Sequence, residues 1–250
     1  MMESPTAPRP PSALEQDCLC IELIRRHLAT DTVGFQIFLY QELTSTNAVL
    51  RRLAEAGVRE GTVVLAETQT AGRGRLGKSW FSPPGVNLYV SVLFRPPIPR
   101  TAVPVFSFIT SLALSDAIGA EGVAAAIRWP NDVLIEGKKV AGTLVSYATA
   151  GDLAEYVILG AGVNLNVDEA TLAAALGPAG LAATSLRAAA GRPIDRNVFA
   201  AAFLNFLEKW WDAYRVSGPP AVLRAWRERE ILAGCSLGIP SGAGPSPARS

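Results

Sequence analysis

Apolar and polar positions follow two rhythms along this chain, and the changes of rhythm mark the elements. Residues 47–56 put Leu50, Leu53 and Ala54 on one face; Ser45 or Thr46 can cap this stretch and Gly57 can end it, so a helix is predicted. Residues 62–66 read as a short buried strand. Residues 87–94 read as a second strand, ended by Pro96 and Pro97. Residues 105–118 are apolar over a helical length. Two further strand signals, 133–135 and 140–147, flank Glu136-Gly137-Lys138, which predicts a hairpin. Residues 156–159 and 163–167 supply more strand. The clearest helix runs over 195–216, where Phe199, Ala202, Phe203, Phe206, Trp210 and Tyr214 recur at three- and four-residue spacing. Leu207 and Trp211 widen that stripe, which reads as core. Hairpins beside isolated helices predict an α+β fold with a mixed, largely antiparallel sheet.

Composition narrows the function classes. Of 250 residues, 49% are apolar and 18% charged, enough to bury a core, so a wholly disordered chain is excluded. Lys and Arg number 23 against 22 Asp and Glu, a net charge of +1, unlike a globally basic nucleic-acid binder. Cys18, Cys20 and Cys235 are an odd number without finger-like spacing, which argues against a disulfide scaffold and for a reducing compartment. With His27 as its single histidine, the chain has no multi-histidine metal site, and a Ser-His-Asp triad is disfavoured. Residues 1–12 are Pro-rich and lack the pattern of a signal peptide. The longest uncharged stretches are broken by Pro104 or by Gly177-Pro178, so no membrane span is expected and a cytoplasmic protein is the default. Residues 1–12 and 234–250, rich in Pro, Gly and Ser, read as tails around one continuous globular region.

Candidate chemistry concentrates in 67–80, Glu-Thr-Gln-Thr-Ala-Gly-Arg-Gly-Arg-Leu-Gly-Lys-Ser-Trp. Gly72, Gly74 and Gly77 fit the dinucleotide fingerprint; Gly72, Gly77, Lys78 and Ser79 fit the P-loop pattern. Both motifs need the loop to open a helix whose amides hold phosphate. Here the next residues are Trp80-Phe-Ser-Pro-Pro-Gly85, which cannot be helical. No acid follows until Asp116, so the ribose-binding carboxylate is missing as well. What remains is a glycine-rich loop carrying Arg73, Arg75 and Lys78. Residues 68–115 hold five basic and no acidic side chains, so that segment's +5 leaves −4 for the rest of the chain. Glycines let backbone approach a ligand closely, and arginines fork onto carboxylate or phosphate oxygens. A small anion suits three charges better than a long polyanion does. By itself the segment also reads as a solvated surface loop.

Further segments make the reading specific. Thr44-Ser-Thr-Asn47 precedes the first helix. Ile127-Arg-Trp-Pro-Asn-Asp132 is followed by Gly137-Lys-Lys-Val-Ala-Gly-Thr-Leu-Val145 and then by Gly160-Ala-Gly-Val-Asn-Leu-Asn166. With the Gly-Arg loop, and in this order over residues 43–166, these segments resemble the biotin protein ligases, the biotin–acetyl-CoA-carboxylase ligases. Thr184-Ser-Leu186 and Trp226-Arg-Glu-Arg229 extend the resemblance to about residue 230. It implies the catalytic fold shared with class II aminoacyl-tRNA synthetases and a two-step reaction. Biotin's carboxylate attacks the α-phosphate of ATP, with Mg2+ accompanying the nucleotide, to give biotinyl-5′-adenylate and pyrophosphate. A lysine of a biotin carboxyl carrier protein domain, from acetyl-CoA carboxylase or a related carboxylase, then takes the biotin and releases AMP.

By the same resemblance, Ser45, Thr46, Asn47, Gln69, Arg73, Gly74, Arg75, Lys139 and Gly142 are the biotin-binding positions. Arg73, Arg75, Lys78, Trp80, Asn131, Lys139 and Asn164 are the ATP and adenylate positions. Arg75, Lys139 and Asp132 carry the catalysis, with no protein cage for a metal. Ser45 or Thr46 reads equally as a plain helix cap. Trp80, as an exposed indole, reads either as an adenine platform or as an apolar anchor for the loop's end. Asp132 either orients Lys139 or assists the attacking amine; Pro130-Asn-Asp also reads as a plain turn. The loop over 68–80 is expected to be mobile until an anion relieves the mutual repulsion of its cations.

Three departures from the family stand out. Arg128 replaces the usual Lys before Trp-Pro-Asn-Asp. About 40 residues precede Ser-Thr-Asn, too few for a winged helix-turn-helix, so neither DNA binding nor a membrane partner is expected. A Gly/Ser/Pro-rich stretch stands where the family's SH3-like barrel would follow. The expected organisation is a lead-in over 1–30, a catalytic domain over 31–233 and a tail over 234–250. The resemblance leaves a homodimer open. The competing readings are a lipoate-type ligase, a non-catalytic biotin or adenylate binder, and a P-loop nucleotidase.

Overall fold

Strand-forming runs and helical stripes assemble here into a seven-stranded mixed sheet with helices on both faces. In the computed structural model, residues 18–231 are described; Cys235 and the tails expected at 1–12 and 234–250 lie outside them. The elements in chain order are α1 (Ile21–His27), β1 (Ile37–Leu43), α2 (Thr46–Glu55), β2 (Val63–Gln69), β3 (Leu88–Phe94), α3 (Val105–Ala120), β4 (Ala126–Arg128), β5 (Asp132–Ile135), β6 (Lys138–Ala150), β7 (Leu153–Val163), α4 (Glu169–Leu176), α5 (Leu186–Ala190), α6 (Arg196–Ser217) and α7 (Pro219–Arg227). The sheet order is β1-β2-β3-β7-β6-β5-β4. Only β1 and β2 run parallel; every other neighbouring pair is antiparallel, as the α+β expectation required.

The two faces of the sheet are built differently because side chains alternate along each strand. On one face, Leu88, Val90, Val92 and Phe94 of β3 and Val157, Leu159 and Val163 of β7 join one large cluster with α3 and α6. Helix α3 is apolar nearly all round because it lies inside that layer. The stretch Arg100–Ala120 is long and apolar enough to cross a membrane by length and composition alone, but 67% of its most apolar window is buried within the fold. On the other face, α2 sets Val49, Leu50 and Ala54 against Val64, Ala66, Leu93 and Ile158, in a cluster that also takes in Leu43 of β1 and Tyr156 of β7 and is flanked by Ala148 of β6. The rest of that face, over the first part of β6 and the end of β7, is left for the site.

Helix α6 starts where expected, with Asp195 Oδ1 accepting from the amides of Asn197 and Val198. Its buried face is turned slightly from the expected stripe. Phe199, Phe203, Leu204, Leu207 and Trp211 are buried, whereas Phe206, Trp210 and Tyr214 form a partly exposed flank. Polar partners account for part of the turn: Trp210 Nε1 donates to Asp116 Oδ2 at 2.8 Å, which holds it at the edge. The opposite side of α6 binds the segment over residues 18–33. Asn197 brackets Cys18 and Cys20, Asn205 brackets His27 and Ala29, and Glu208 accepts from the successive amides of Asp31, Thr32 and Val33. Leu19, Ile24 and Val33 enter the main core. Residues 18–30, expected as a lead-in outside the domain, are therefore part of its packing.

One further expectation changes and one is met. The predicted strand over 163–167 stops at Val163, because the next amides bond outside the ladder: Asn164 to Val140 O, Leu165 to Asn87 Oδ1 and Asn166 to Val86 O. The predicted hairpin forms, and its register makes the site. Glu136 (φ 49°) and Gly137 (φ 79°) both take the left-handed conformation that a two-residue turn of this kind demands. The turn sets Lys138 and Lys139 at the start of β6.

Candidate active site

The floor of the site is the uncovered sheet face, where small residues replace the branched ones of the core face. Gly142 pairs with Gly162 and Leu144 with Gly160 across β6 and β7. A cavity of about 460 Å3 lies over these glycines. Three segments wall it: the α2 N-terminus, the Gly-Arg loop, and the turn and hairpin that carry 129–139. All the expected site residues line it except Thr46 and Asn164.

At the α2 N-terminus, Ser45 makes no capping bond and faces the cavity. The capping role comes from across the sheet: Gln69 Oε1 accepts from Thr46 N at 3.0 Å and from Thr46 Oγ1 at 3.3 Å. Thr46 is buried beneath the lining, where its Oγ1 accepts from Ser91 Oγ at 2.8 Å. Asn47 reaches over the floor. Its Nδ2 donates to Leu144 O at 3.3 Å and to Ser146 Oγ at 3.4 Å, and its Oδ1 contacts Ser91 Oγ. A side chain on Gly160 would collide with Asn47.

The loop does not open a helix. A single 3-10 turn at Arg75–Gly77 sits between paired Arg73 and Ser79, and Gly74 N donates to Lys78 O at 2.7 Å. That geometry removes both the P-loop and the dinucleotide reading, since neither phosphate-holding helix exists. Arg73, Arg75 and Lys78 are exposed at the cavity and make no ion pair among the described residues. Trp80 closes the loop, but it is half-buried, not the exposed indole expected. Its ring lies on the glycine floor, so a Cβ on Gly162 would come within 2.5 Å of Nε1, and one on Gly142 within 3.0 Å of Cζ3. Its Nε1 is buried without a partner. Asn47 over Gly160 and Trp80 over Gly162 stand two residues apart along β7, about 6.6 Å.

On the hairpin side, Asp132 is the pivot. Its Oδ1 lies 2.5 Å from Lys139 Nζ and its Oδ2 is 2.8 Å from Arg128 Nη2. Burial by itself would raise the Asp132 pKa; hydrogen bonds and charge from Arg128 and Lys139 outweigh it and hold the carboxyl below its ordinary value. Lys139 Nζ also stands 5.3 Å from the centre of the Trp80 ring. Its backbone is braced by Thr184 N, which donates to Lys139 O at 2.9 Å. Lys138 points elsewhere and pairs with Glu169 at 3.2 Å. Asn131 lines the cavity with its amide nitrogen committed to Thr143 O at 2.8 Å. Asn164 is buried behind the site and bonded to Thr184 O at 3.1 Å.

The sequence reading missed Arg128 as a site residue, the buried Ser91, and Gly160 and Gly162 as floor. A lone serine inside the run 88–94 was the signal for Ser91. The alternation of glycine with apolar residues in 159–163 was the signal for the floor.

The family model described as the biotin/lipoate A/B protein ligase family matches residues 39–164. The Bacillus subtilis bifunctional ligase/repressor BirA is 34% identical over 215 residues, which cover 86% of this chain and 65% of that protein. The biotin–[acetyl-CoA-carboxylase] ligase of Paracoccus denitrificans is 37% identical over 193 residues, covering 76% of this chain and 79% of that protein. The chain thus spans about 65% of the length of the BirA relatives from Bacillus. Among solved structures, a biotin protein ligase from Aquifex aeolicus in complex with biotin and ATP superposes with a TM-score of 0.66 at 27% identity over 79% of both chains. A Leishmania major biotin protein ligase in complex with biotinyl-5-AMP gives 0.60 at 27% identity, over 85% of this chain and 88% of that one.

Proposed function

The chain belongs to the biotin/lipoate A/B protein ligase family, and from that premise we propose that it is a biotin–protein ligase. It joins biotin to ATP as biotinyl-5′-AMP and then transfers biotin to a lysine of a biotin carboxyl carrier protein domain of acetyl-CoA carboxylase or a related carboxylase. The observation that carries this reading is a cavity in which polar groups of the α2 N-terminus meet four cations over a glycine floor. Among the described residues, the catalytic domain takes in α1 and the lead-in from residue 18, which pack into the main core.

In the first step a carboxylate oxygen bonds to the α-phosphorus of ATP, and the bond from that phosphorus to the bridging oxygen of the leaving pyrophosphate breaks. Both reactants are anions, so their approach needs cations already in place or brought by closure. Lys139, aimed by Asp132, holds carboxylate and phosphate oxygens from one side. Arg73 and Arg75 close from the loop, with Lys78 at its outer turn. Ser45 and Asn47 supply hydrogen bonds to the ureido head of biotin, and Gln69 and Thr46 shape that end of the pocket. Gly74 and Gly142 let backbone approach the ligand. Trp80 leaves the floor as the ligand enters and offers its ring to adenine; its unpartnered Nε1 and its seat on bare glycine suit a side chain that can move. Asn131 lies beside the phosphates, and Asn164 supports the pocket from behind.

Magnesium would arrive on the triphosphate and offset its charge; among the described residues no cluster of His, Cys, Asp or Glu could cage it. In the second step the lysine amine bonds to the acyl carbon, the bond from that carbon to the phosphate oxygen breaks, AMP leaves and the amine sheds a proton. Asp132, ionised and clamped between two cations, positions Lys139 and is a poor proton acceptor for that amine. Much of the rate is then left to positioning an already activated acyl group.

The test is to incubate the protein with biotin, ATP and magnesium, with and without a carrier domain. Pyrophosphate release, retained biotinyl-adenylate and one biotin-sized mass increment on the carrier lysine are expected. Turnover with lipoate but not biotin, or biotin binding without labelling of the carrier, would overturn the reading.

A further inference from the structure

Ser82 lies outside the cavity lining, two residues past Trp80 and nearly buried. Its Oγ accepts from Gln69 Nε2 at 3.1 Å and donates to Trp80 O at 3.1 Å. Its carbonyl accepts from Thr68 Oγ1 at 2.6 Å. The entry and exit of the Gly-Arg loop thus meet on one hydroxyl, and Trp80 N closes the neck by donating to Gly72 O at 2.9 Å. Only glycine fits at 72: a Cβ there would lie 2.7 Å from Trp80 O, 2.9 Å from Ser82 Oγ and 3.0 Å from Gln69 Nε2.

Gln69 carries the contact onward. A carboxamide has its donor and acceptor on opposite prongs, so committing Nε2 to Ser82 turns Oε1 toward Thr46. Thr46 in turn contacts Ser91, and Ser91 contacts Asn47 over the floor. One line of side chains therefore joins the neck of the loop that bears Arg73 and Arg75 to the residues at the α2 N-terminus.

We propose that Ser82 is a positioning residue that locks the orientation of Gln69 and so couples ligand occupancy beside Ser45 and Asn47 to closure of the Gly-Arg loop. The proposal rests on the ligase reading, in which biotin occupies that end of the site. It gives the buried hydroxyl a role in substrate affinity beyond its share in folding.

The experiment compares wild type, Ser82→Ala, Gln69→Ala and the double variant. It follows pyrophosphate release against biotin concentration, hydrogen exchange of the ligand-free proteins, and melting. Ser82→Ala should raise the KM for biotin about tenfold, the scale of one or two lost hydrogen bonds, with kcat changed less than about threefold. The Thr46 amide and the amides of 72–80 should exchange faster while those of β3 and β7 do not. The double variant should be no worse than Gln69→Ala, because the serine acts through the glutamine. An unchanged biotin KM, losses that multiply in the double variant, or uniformly faster exchange with a lower melting temperature would each overturn the proposal. If wild type releases no pyrophosphate with biotin, the ligase reading fails, and the Thr46 and loop exchange still decide the coupling.

Discussion

Lys139 and the cations of the Gly-Arg loop face the same cavity from different segments of its wall, and they are held in opposite ways. Lys139 has a carboxylate at 2.5 Å, an aromatic face at 5.3 Å and a backbone pinned by Thr184. Arg73, Arg75 and Lys78 have no ion pair among the described residues and project from a loop whose one internal turn is three residues long. A charge fixed in advance stabilises a transition state without reorganising, but its desolvation must be offset, and Asp132 does that. A charge left unpaired keeps its full attraction for an incoming anion, and the ordering of the loop is then set against that attraction. On the proposed ligase reading, this difference predicts that the hairpin serves the chemical step and the loop serves capture and enclosure.

The sharpest break of that division is Lys139→Ala. Losing one preorganised cation from such a site should lower the rate of adenylate formation about 10²–10³-fold, read as pyrophosphate release with both substrates saturating. A loss of less than fivefold would remove Lys139 from the chemistry. Arg75→Ala should come next and act differently. Its loss, about tenfold to a hundredfold, should fall mainly on the KM for ATP and biotin. It should also abolish the extra exchange protection that the ligands confer on 72–80. Lys78→Ala should change activity less than about threefold. A larger loss at Lys78 than at Arg75 would revive a P-loop-like use of this segment despite its missing helix.

What was legible beforehand follows from how each region is buried. Strand β3, the β5–β6 hairpin, α3 and α6 announced themselves because burial leaves long apolar runs or a repeated stripe. Strand β1 did not, since on this edge strand Gln41 and Glu42 are exposed and blur the period of two. Helix α1 buries only Ile24, and α7 opens on Pro219-Pro220 with Val222 and Trp226 as its two buried anchors, too little for a pattern. The site was legible where chemistry sits in contiguous motifs. It was not where it depends on strand register: Ser91, Gly160 and Gly162 come together only because β3, β7 and β6 are neighbours. Thr46 and Asn164 belong to those motifs, yet burial in hydrogen bonds places them behind the lining.

The smallest effect probes the clamp itself. Asp132 has a carboxyl held below its ordinary value because Arg128 and Lys139 outweigh burial. A group whose folded pKa is depressed contributes stability that is complete above its unfolded value, near 3.8, and is lost as pH falls through the folded one. Wild type should therefore melt a few degrees above Asp132→Asn at neutral pH, for a contribution of about 1 to 2 kcal/mol. That gap should stay constant on acidification to about pH 5 and narrow only below about pH 4. Arg75→Ala, which removes an exposed and unpaired charge, should melt with wild type throughout. A gap that widens on acidification would mean that burial, not the two cations, governs Asp132. The carboxyl would then be protonated more readily in the fold than out of it, and the hairpin would have no fixed counter-charge to set it apart from the loop.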